Sequence, residues 1–461
     1  MAQIQLVTEV PGPKSREMMA RHERFVGRGI ALGFPAFIQE ARGAILTDVD
    51  GNRFVDLAGG VGAMNVGHSD ERVLGAAREQ LGRLVHTDYT VAPYGIYAEV
   101  AERLVGLVKG AGKAAFFNSG AEAVENSIKM GRVYTGRQAV ISFEGGFHGR
   151  TWMALSLTSK TTPYKGGILP LASEVYRVPY AYPYRPPVEP RAGESLGEAC
   201  AALLDNTFAQ YVAAEDVAAL IVEPVLGESG VVVPPDDYLL ALKRRCEEHG
   251  IVFIVDEVQT GFGRTGKMFA IEHSGVEPDL VIMAKSIAAG MPLSAVVGRA
   301  EVVDAPVAGG IGGTYPGNPV ALASAAAVLD RLEDGELLGR SREIGERIRG
   351  RFGELARRVG LIGEVRGLGA MSAVEFVRDR KSKKPAREET AEIVRLAATR
   401  GVLVLSAGVR SNCIRFLPPL VITDEQLDEA LDVLEGCVLE VARSGLRAPR
   451  GVDVSALADP T

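Results

Sequence analysis

The chain has 461 residues, of which 47% are hydrophobic and 24% charged, ordinary proportions that exclude a disordered chain, a collagen and a coiled-coil rod. Its 58 acidic and 51 basic residues give a net charge of −7, so electrostatics offer no reason to expect nucleic acid or an anionic membrane as partner. Glycine is in excess, at 54 residues, and the positions of the glycines should show where the backbone needs them.

Cysteine and histidine show no pattern of a metal site. The four cysteines, Cys200, Cys246, Cys413 and Cys437, form no CxxC pair, and the six histidines have no HExxH spacing. Scattered cysteines in a chain of this size suit a reducing cytoplasm. The first residues lack the apolar core of a signal peptide, and the long uncharged run 305–329 is interrupted by prolines and glycines. We therefore expect a cytoplasmic protein without a metal or a membrane partner.

The first predicted element is a hairpin, AILTDVDGNRFVDL, with Asp50-Gly51 as its turn. Short apolar runs then alternate with helical patterns, and the clearest helix, 238–248, is stopped by Gly250. Such runs fit parallel strands that are covered on both faces, so the alternation predicts an α/β sheet. The predicted strands are 114–117, 139–143, 218–223, 251–256, 279–283 and 295–298.

The C-terminal part has a different pattern. Residues 320–360 and 386–400 are predicted to be helical, and Thr423 with Gln426 matches a capping box that opens a final helix. We therefore expect a smaller α+β domain here, joined by the N-terminal segment. The expected parts are an N-terminal segment 1–60, a large domain 61–325 and a small domain 326–461.

Residues that directly follow the predicted strands are the candidates for a site, because ligands bind at the carboxyl ends of strands in an open parallel sheet. A serine hydroxyl and N–H groups at a helix start, as in Ser119-Gly120-Ala121, form a phosphate site, although such a serine alone is more often an ordinary cap. Asp256 ends an apolar run, and a buried carboxylate needs a cation or hydrogen-bond donors.

Lys285 directly follows DLVIMA, and a lysine in an apolar pocket can form a Schiff base. Taken alone, it is more often a solvated side chain. The phosphate site, the buried aspartate and the lysine, in this order on an α/β sheet, match three parts of pyridoxal 5′-phosphate (PLP): its phosphate, its pyridinium nitrogen and its aldehyde.

The chain resembles the class III, or ω-, aminotransferases, and within them the 4-aminobutyrate branch. The similarity spans most of residues 45–420. It implies fold type I of the PLP-dependent transferases, with a large domain whose mostly parallel, seven-stranded sheet lies between helices, and a smaller α+β domain built from both termini. The matching stretches are FFNSGAEAVENSIKMGR, FEGGFHGRT, VEPVLGESG, FIVDEVQTGFGRTGKMF, PDLVIMAKSIAAGMPLSAVVGRAE and GGTYPGNP.

The resemblance also implies roles for single residues. Lys285 is expected to hold the cofactor and carry the proton, and Asp256 to pair with the pyridinium nitrogen. Thr314 is expected to reach the cofactor of the neighbouring subunit, in a homodimer or a pair of dimers. The other implied cofactor residues are Ser119, Gly120 and Ala121 at the phosphate, Phe147 and Val258 on the two ring faces, Gln259 at the phenolic oxygen, and His148 and Glu223 beside them. Many members of the branch have tyrosine in place of Phe147, which leaves stacking intact but removes a hydroxyl.

Two arginines suit a substrate with two carboxylates, because arginine pairs with a carboxylate through two parallel hydrogen bonds. By resemblance, Arg415 takes the α-carboxylate of 2-oxoglutarate and Arg150 the distal one, while Val61 shapes the pocket. An ω-amino acid such as 4-aminobutyrate has one carboxylate, and Glu228 is then expected to mask Arg415. Taken without its context, either arginine is more often part of a surface salt bridge.

The expected reaction is ping-pong transfer of an amino group from an ω-amino acid, most directly 4-aminobutyrate, to 2-oxoglutarate. The sequence does not choose among 4-aminobutyrate, β-alanine, 5-aminopentanoate and longer ω-amino acids, which differ only by methylenes. The alternative hypotheses are an ornithine, acetylornithine or pyruvate-using aminotransferase, an amino-acid racemase on the same fold, and a non-catalytic sensor with the PLP fold. The arginine pair argues against a racemase, and the intact Lys285 argues against a sensor.

Overall fold

The computed structural model describes residues 2–444, so the end of the predicted small domain, 445–461, lies outside the described residues. The chain forms two compact units. Their boundaries fall at Asp70 and Leu338, where the sequence placed them at 60 and 325. The first unit contains the chain up to Asp70, the segment Ser229–Val231 and the chain from Gly339 onward, and the second contains Glu71–Glu228 and Val232–Leu338.

Helices and strands alternate through most of the chain. The strands are β1 Ile38–Arg42, β2 Ile45–Asp48, β3 Arg53–Asp56, β4 Lys113–Phe117, β5 Ala139–Phe143, β6 Val175–Val178, β7 Val217–Val222, β8 Val252–Asp256, β9 Leu280–Met283, β10 Ser294–Gly298, β11 Ile362–Leu368, β12 Met371–Asp379, β13 Lys384–Pro385, β14 Val402–Leu403, β15 Leu405–Ala407 and β16 Cys413–Phe416. The helices are α1 Pro13–Phe25, α2 Gly59–Gly62, α3 Glu71–Arg83, α4 Gly95–Leu107, α5 Gly120–Thr135, α6 Trp152–Leu157, α7 Leu196–Ala201, α8 Leu203–Gln210, α9 Tyr238–His249, α10 Ala300–Val303, α11 Pro319–Leu332, α12 Glu336–Arg358, α13 Arg387–Thr399 and α14 Asp424–Ser444.

The second unit is built on a seven-stranded sheet with the order β4-β10-β9-β8-β7-β5-β6. Only β10 runs antiparallel to its neighbours, β4 and β9, and the remaining pairs are parallel. Every residue of β5, β7, β8, β9 and β10 is buried, as expected for strands covered on both faces. The mostly parallel sheet and all six predicted strands are therefore confirmed, whereas β6 was not predicted.

The parallel strands set the place of the site. Because β5, β7, β8 and β9 run in the same direction, their carboxyl ends meet at one edge of the sheet. The residues that follow these strands therefore lie at that edge.

The first unit contains two smaller sheets. One has the order β1-β2-β3-β14, in which β3 pairs in parallel with β14, so the N-terminal hairpin shares a sheet with the C-terminal chain. The predicted hairpin turn is confirmed, since β2 and β3 are antiparallel and Gly51 has a φ of +92°. The other sheet has the order β11-β12-β16-β15.

The predicted helical range 320–360 is confirmed as two helices, α11 and α12. The chain turns between them at Gly335, which has a φ of +75°. The Asp334 carboxylate then accepts a hydrogen bond from the N–H of Glu336, at 2.9 Å, and starts the second helix.

The other predicted helices are confirmed. Helix α9 ends at Gly250, which has a φ of +64°, and α13 covers the predicted range within a residue at each end. The capping box of α14 has both reciprocal bonds: Thr423 Oγ1 accepts from the N–H of Gln426 at 3.2 Å, and Gln426 Oε1 accepts from the N–H of Thr423 at 3.0 Å. No helix among residues 2–444 has both the length and the apolar character that crossing a membrane requires.

Candidate active site

The turn between β4 and α5 is a capped helix start. Ser119 is the N-cap of α5, and its Oγ accepts from the N–H of Glu122 at 3.2 Å. The Ser119 carbonyl oxygen accepts a second bond, from Ser294 Oγ at 2.7 Å, which fixes the turn to β10. The first N–H groups of a helix have no acceptor within the helix, and the helix dipole adds positive potential, so Gly120 and Ala121 lie where an anion is favoured.

Asp256 is buried at the end of β8 and is held from two sides. Its Oδ2 lies 2.8 Å from His148 Nδ1, and its Oδ1 accepts from the N–H of Val258 at 3.1 Å. The backbone N–H of His148 in turn donates to Thr158 Oγ1 at 2.9 Å. These contacts orient a buried carboxylate, which needs such donors to remain inside the protein.

Glu223 directly follows β7 and organises two neighbouring loops. Its carboxylate accepts from the N–H of Phe147 at 2.8 Å and from the N–H of Gly227 at 2.9 Å. Burial raises the pKa of Glu223 to about 7, while His148 acts to lower it and the charge of Asp256 to raise it. Glu223 thereby fixes the backbone of both loops beside Asp256.

Two glycines leave space that a side chain would fill. A Cβ on Gly120 would lie 3.1 Å from Val258 Cγ1, and a Cβ on Gly227 would collide with the amide of Gln259. The glycine excess therefore has a local cause at these two positions, where backbone packs against side chains that follow β8.

Tyr164 packs beside two of the predicted site residues, Phe147 and Arg150, although the sequence did not indicate it. Its ring centroid lies 5.2 Å from that of Phe147, in an edge-to-face arrangement, and the Arg150 guanidinium lies 5.3 Å from the same ring. Tyr164 is buried and contacts both predicted residues, so it helps to orient them. It lies in a loop, TTPYKGG, whose composition has no periodic pattern to reveal it.

Lys285 follows β9, from which it is separated only by Ala284, and it has an unusual backbone conformation. Its φ is +47°, in the left-handed region that non-glycine residues rarely occupy. Such strain is found most often where function demands a particular side-chain direction.

The remaining predicted residues are divided between the two units. Thr314 is exposed in the loop between α10 and α11, and Glu228 is buried at the end of a stretch of the second unit. Arg415 is fully buried in β16 of the first unit, and Val61 is half-buried in α2 of the same unit.

The second-unit residues fit PLP. Its phosphate suits the start of α5, and Asp256 offers an oriented carboxylate to a ring nitrogen. Among the described residues, no hydrogen-bond partner reaches the buried atoms Gln259 Oε1 and His148 Nε2, so both retain capacity for a polar ligand.

Comparison with known proteins agrees with this geometry. The model of the family "Aminotransferase class-III" matches residues 30–438. A "Probable 4-aminobutyrate aminotransferase" of Bacillus subtilis (strain 168) is 46% identical over 430 residues, which cover 93% of this chain and 97% of that protein. A 5-aminovalerate aminotransferase of Pseudomonas aeruginosa is 40% identical over 430 residues, covering 93% and 99%.

A solved structure supports the same assignment. The PLP-bound amine transaminase of an uncultivated Pseudomonas species superposes with a TM-score of 0.82 at 33% identity, covering 88% of this chain and 95% of that one. The resemblance seen in the sequence motifs is therefore confirmed over nearly the whole chain. The chain belongs to the class III aminotransferases and is a PLP-dependent enzyme of fold type I.

Proposed function

We propose that this aminotransferase moves the amino group of an ω-amino acid, with 4-aminobutyrate as the first donor, to 2-oxoglutarate in two alternating half-reactions. The observation that carries the proposal is the 46% identity, over nearly the full length of both chains, with a protein named for 4-aminobutyrate. The relative named for 5-aminovalerate supports the same class of donor and makes the five-carbon compound the first rival.

The cofactor, when bound, supplies an electron sink for the charge that develops at the amine-bearing carbon of the substrate. We assign Lys285 Nζ the transfer of the proton at that carbon, and Asp256 the task of keeping a proton on the ring nitrogen. Ser119, Gly120 and Ala121 would bind the phosphate. Phe147 and Val258 would cover the ring faces, Gln259 would bond the phenolic oxygen, and His148 and Glu223 would hold these groups in place.

The two substrates differ by one carboxylate, and the site must serve both. We assign Arg415 to the α-carboxylate of 2-oxoglutarate and Arg150 to the distal one. When the donor brings a single carboxylate, the buried charge of Arg415 still needs an anion, because an uncompensated buried charge is costly. Glu228 is the group to which we assign this compensation, and Val61 would limit the pocket.

We also propose a homodimer in which Thr314 reaches the phosphate of the neighbouring subunit's cofactor. The exposure of Thr314 within a single chain supports this assignment. A cytoplasmic location is proposed as well, because the four cysteines are buried and form no disulfide within residues 2–444, as suits a reducing compartment.

Separate half-reactions test the proposed function. Holoenzyme mixed with 4-aminobutyrate and no acceptor should change the absorbance of its bound cofactor, and 2-oxoglutarate should restore the original spectrum. Lys285→Ala is the matched control: it should bind PLP, but successive addition of 4-aminobutyrate and 2-oxoglutarate should yield no glutamate. The proposal fails if wild-type holoenzyme responds to no ω-amino acid of three to five carbons.

A further inference from the structure

One face of a first-unit sheet carries a row of side chains that includes Arg415. Arg366 on β11 is paired with Ala373 on β12, and Ala373 is paired with Arg415 on β16. Directly paired residues of neighbouring strands place their side chains on the same face. Two strand spacings separate the arginine backbones by about 10 Å, with only the small Ala373 between them.

Arg366 is buried, and it holds a segment that is remote in the chain. Its Nε donates to the carbonyl oxygens of Gly230 at 2.8 Å and Val231 at 3.1 Å. Its Nη1 pairs with Glu375 at 2.9 Å and also contacts Glu364. The two carboxylates compensate the buried charge and orient the guanidinium toward the segment.

The held segment, Ser229–Val231, has a conformation that needs support. Gly230 has a φ of +92° and Val231 a φ of +54°, and a β-branched residue is a rare outlier in this region. A Cβ on Gly230 would lie 2.6 Å from Cys413 Sγ and 3.0 Å from Arg366 Nη2. The segment therefore lies flat against the same sheet face, and only glycine fits at its centre.

We propose that Arg366 is a positioning residue for carboxylate recognition: it fixes the segment that begins directly after Glu228 on the sheet face that carries Arg415. This inference rests on the proposed function, in which Glu228 supplies the compensating carboxylate when the donor has only one.

The two half-reactions then depend differently on Arg366. In the donor half-reaction the protein itself must supply the carboxylate, so the chain that carries Glu228 has to be fixed. In the acceptor half-reaction 2-oxoglutarate brings its own second carboxylate. Loosening the segment should therefore weaken the donor half-reaction more than the acceptor half-reaction.

Arg366→Lys tests this, because lysine keeps the charge beside Glu364 and Glu375 but lacks the guanidinium fork. The matched control is Arg349→Lys: Arg349 is a half-buried arginine of the same unit that donates to the carbonyl oxygen of Gly369 at 2.8 Å and to Ser372 Oγ at 3.0 Å, away from the segment. The measurement is the single-turnover kcat/KM of each half-reaction, with the thermal midpoint and the cofactor absorbance as checks of folding.

We expect Arg366→Lys to lower kcat/KM for 4-aminobutyrate about tenfold, which is less than the roughly 100-fold loss that a 1 Å misplacement can cause. The value for 2-oxoglutarate should fall much less. Arg349→Lys should leave the ratio of the two values unchanged. Gly230→Ala displaces the segment while Arg366 stays intact, so it should change the ratio of the two kcat/KM values in the same direction. It replaces Arg366→Lys as the test if that variant does not fold.

Equal losses in both half-reactions, or an unchanged ratio in a folded variant, would overturn the role of Arg366. Failure of the proposed function has a different outcome, since wild-type holoenzyme would then not respond to ω-amino acids at all. The two failures are therefore distinguishable in one set of measurements.

Discussion

At the scale of single residues, Val61 has a backbone conformation that valine rarely adopts. All four residues of α2 have positive φ, from 54° at Gly59 to 80° at Gly62, and Val61 is at 60°. The turn is held by Asp56, whose Oδ1 accepts from the N–H groups of Ala58 and Gly59 at 2.8 and 2.9 Å and whose Oδ2 lies 2.7 Å from His68 Nε2. A strained valine kept in place by buried contacts favours a functional role for its side chain.

This geometry predicts a reversed order of stability at position 61. Val61→Gly should be more stable than Val61→Ala by about 1 kcal/mol, because glycine adopts positive φ without strain. Val394, which is similarly half-buried but lies within α13, is the matched control, and there the alanine variant should be the more stable. Thermal midpoints of the four variants test this, and the usual order at position 61 would contradict the left-handed turn.

The buried carboxyl of Glu257 should make the stability of the folded protein depend on pH. It is fully buried and accepts bonds from Thr260 Oγ1 and from the N–H groups of Ala270 and Ile271, yet burial raises its pKa to about 7. The folded state therefore keeps a proton that the unfolded state releases near pH 4.5. Its contribution to stability is complete below that pH and is lost as the pH rises through about 7.

In Glu257→Gln this group no longer titrates. We expect the decline of wild-type stability between pH 4.5 and about 7 to be shallower in the variant, by at most about 1.4 kcal/mol per pH unit for one proton. Thermal midpoints across this range provide the measurement. Parallel profiles for the two proteins would show that Glu257 does not carry the raised pKa.

At the scale of elements, α12 and α14 are joined by a row of ion pairs. Asp424 contacts Arg340 at 2.6 Å and Arg347 at 2.7 Å, and Arg351 contacts Glu435 at 2.8 Å. The pKa of Asp424 is lowered by its hydrogen bonds with Arg340 and then Arg347. The paired side chains are partly exposed to solvent, so each ion pair contributes little to the free energy of unfolding.

Asp424→Asn should lower the thermal midpoint at pH 6 by the equivalent of about 1 kcal/mol or less. A carboxyl with a depressed folded-state pKa stabilises above its ordinary pKa and loses this effect as the pH falls through the folded value. The difference between wild type and variant should therefore shrink as the pH falls below 3.8, the ordinary pKa of this carboxyl. High salt at pH 6 should also reduce it, and a difference that persists under both conditions would rule out the ion pairs as its cause.

Sequence reasoning succeeded where structure depends on neighbours in the chain. The six core strands are continuous apolar runs, and the residues that follow them were predicted to share one edge because parallel topology places them there. It failed where the cause is remote or irregular: β6 is only partly buried, and Arg366 acts on a segment 136 residues away. The positive φ of Lys285 and Val61 has no pattern in the neighbouring residues, because the tertiary structure imposes it.

At the scale of the whole molecule, the first unit is assembled from both ends of the chain together with the three residues Ser229–Val231. Such a unit cannot form until the chain between its parts has been synthesised, so its contacts are strongly non-local. The second unit is nearly continuous and contains the helix start, Asp256 and Lys285. The groups assigned to the cofactor therefore belong largely to the unit with the more local contacts.

The proposed homodimer predicts complementation between two inactive chains. Lys285→Ala lacks the lysine, and Thr314→Asp would repel the phosphate of the neighbouring subunit. In a mixed dimer one site combines an intact lysine with an intact Thr314, so co-expression should restore activity at roughly a quarter of all sites. Activity of the separated and mixed proteins tests this, together with their mass in solution. A monomer, or no recovery in mixed dimers, would contradict the role of Thr314.

Gly230 packs against Cys413, so the reactivity of this buried thiol can be used to measure local opening of the structure. Because Cys413 Sγ is buried beside Gly230, a thiol reagent can reach it only when the structure opens, and the labelling rate reports such openings. The native Cys413 thiol thus serves as a chemical probe at the contact with Gly230, in the segment that follows Glu228, and no engineered label is needed. Slower labelling in the presence of a substrate would show that the bound substrate makes these openings rarer.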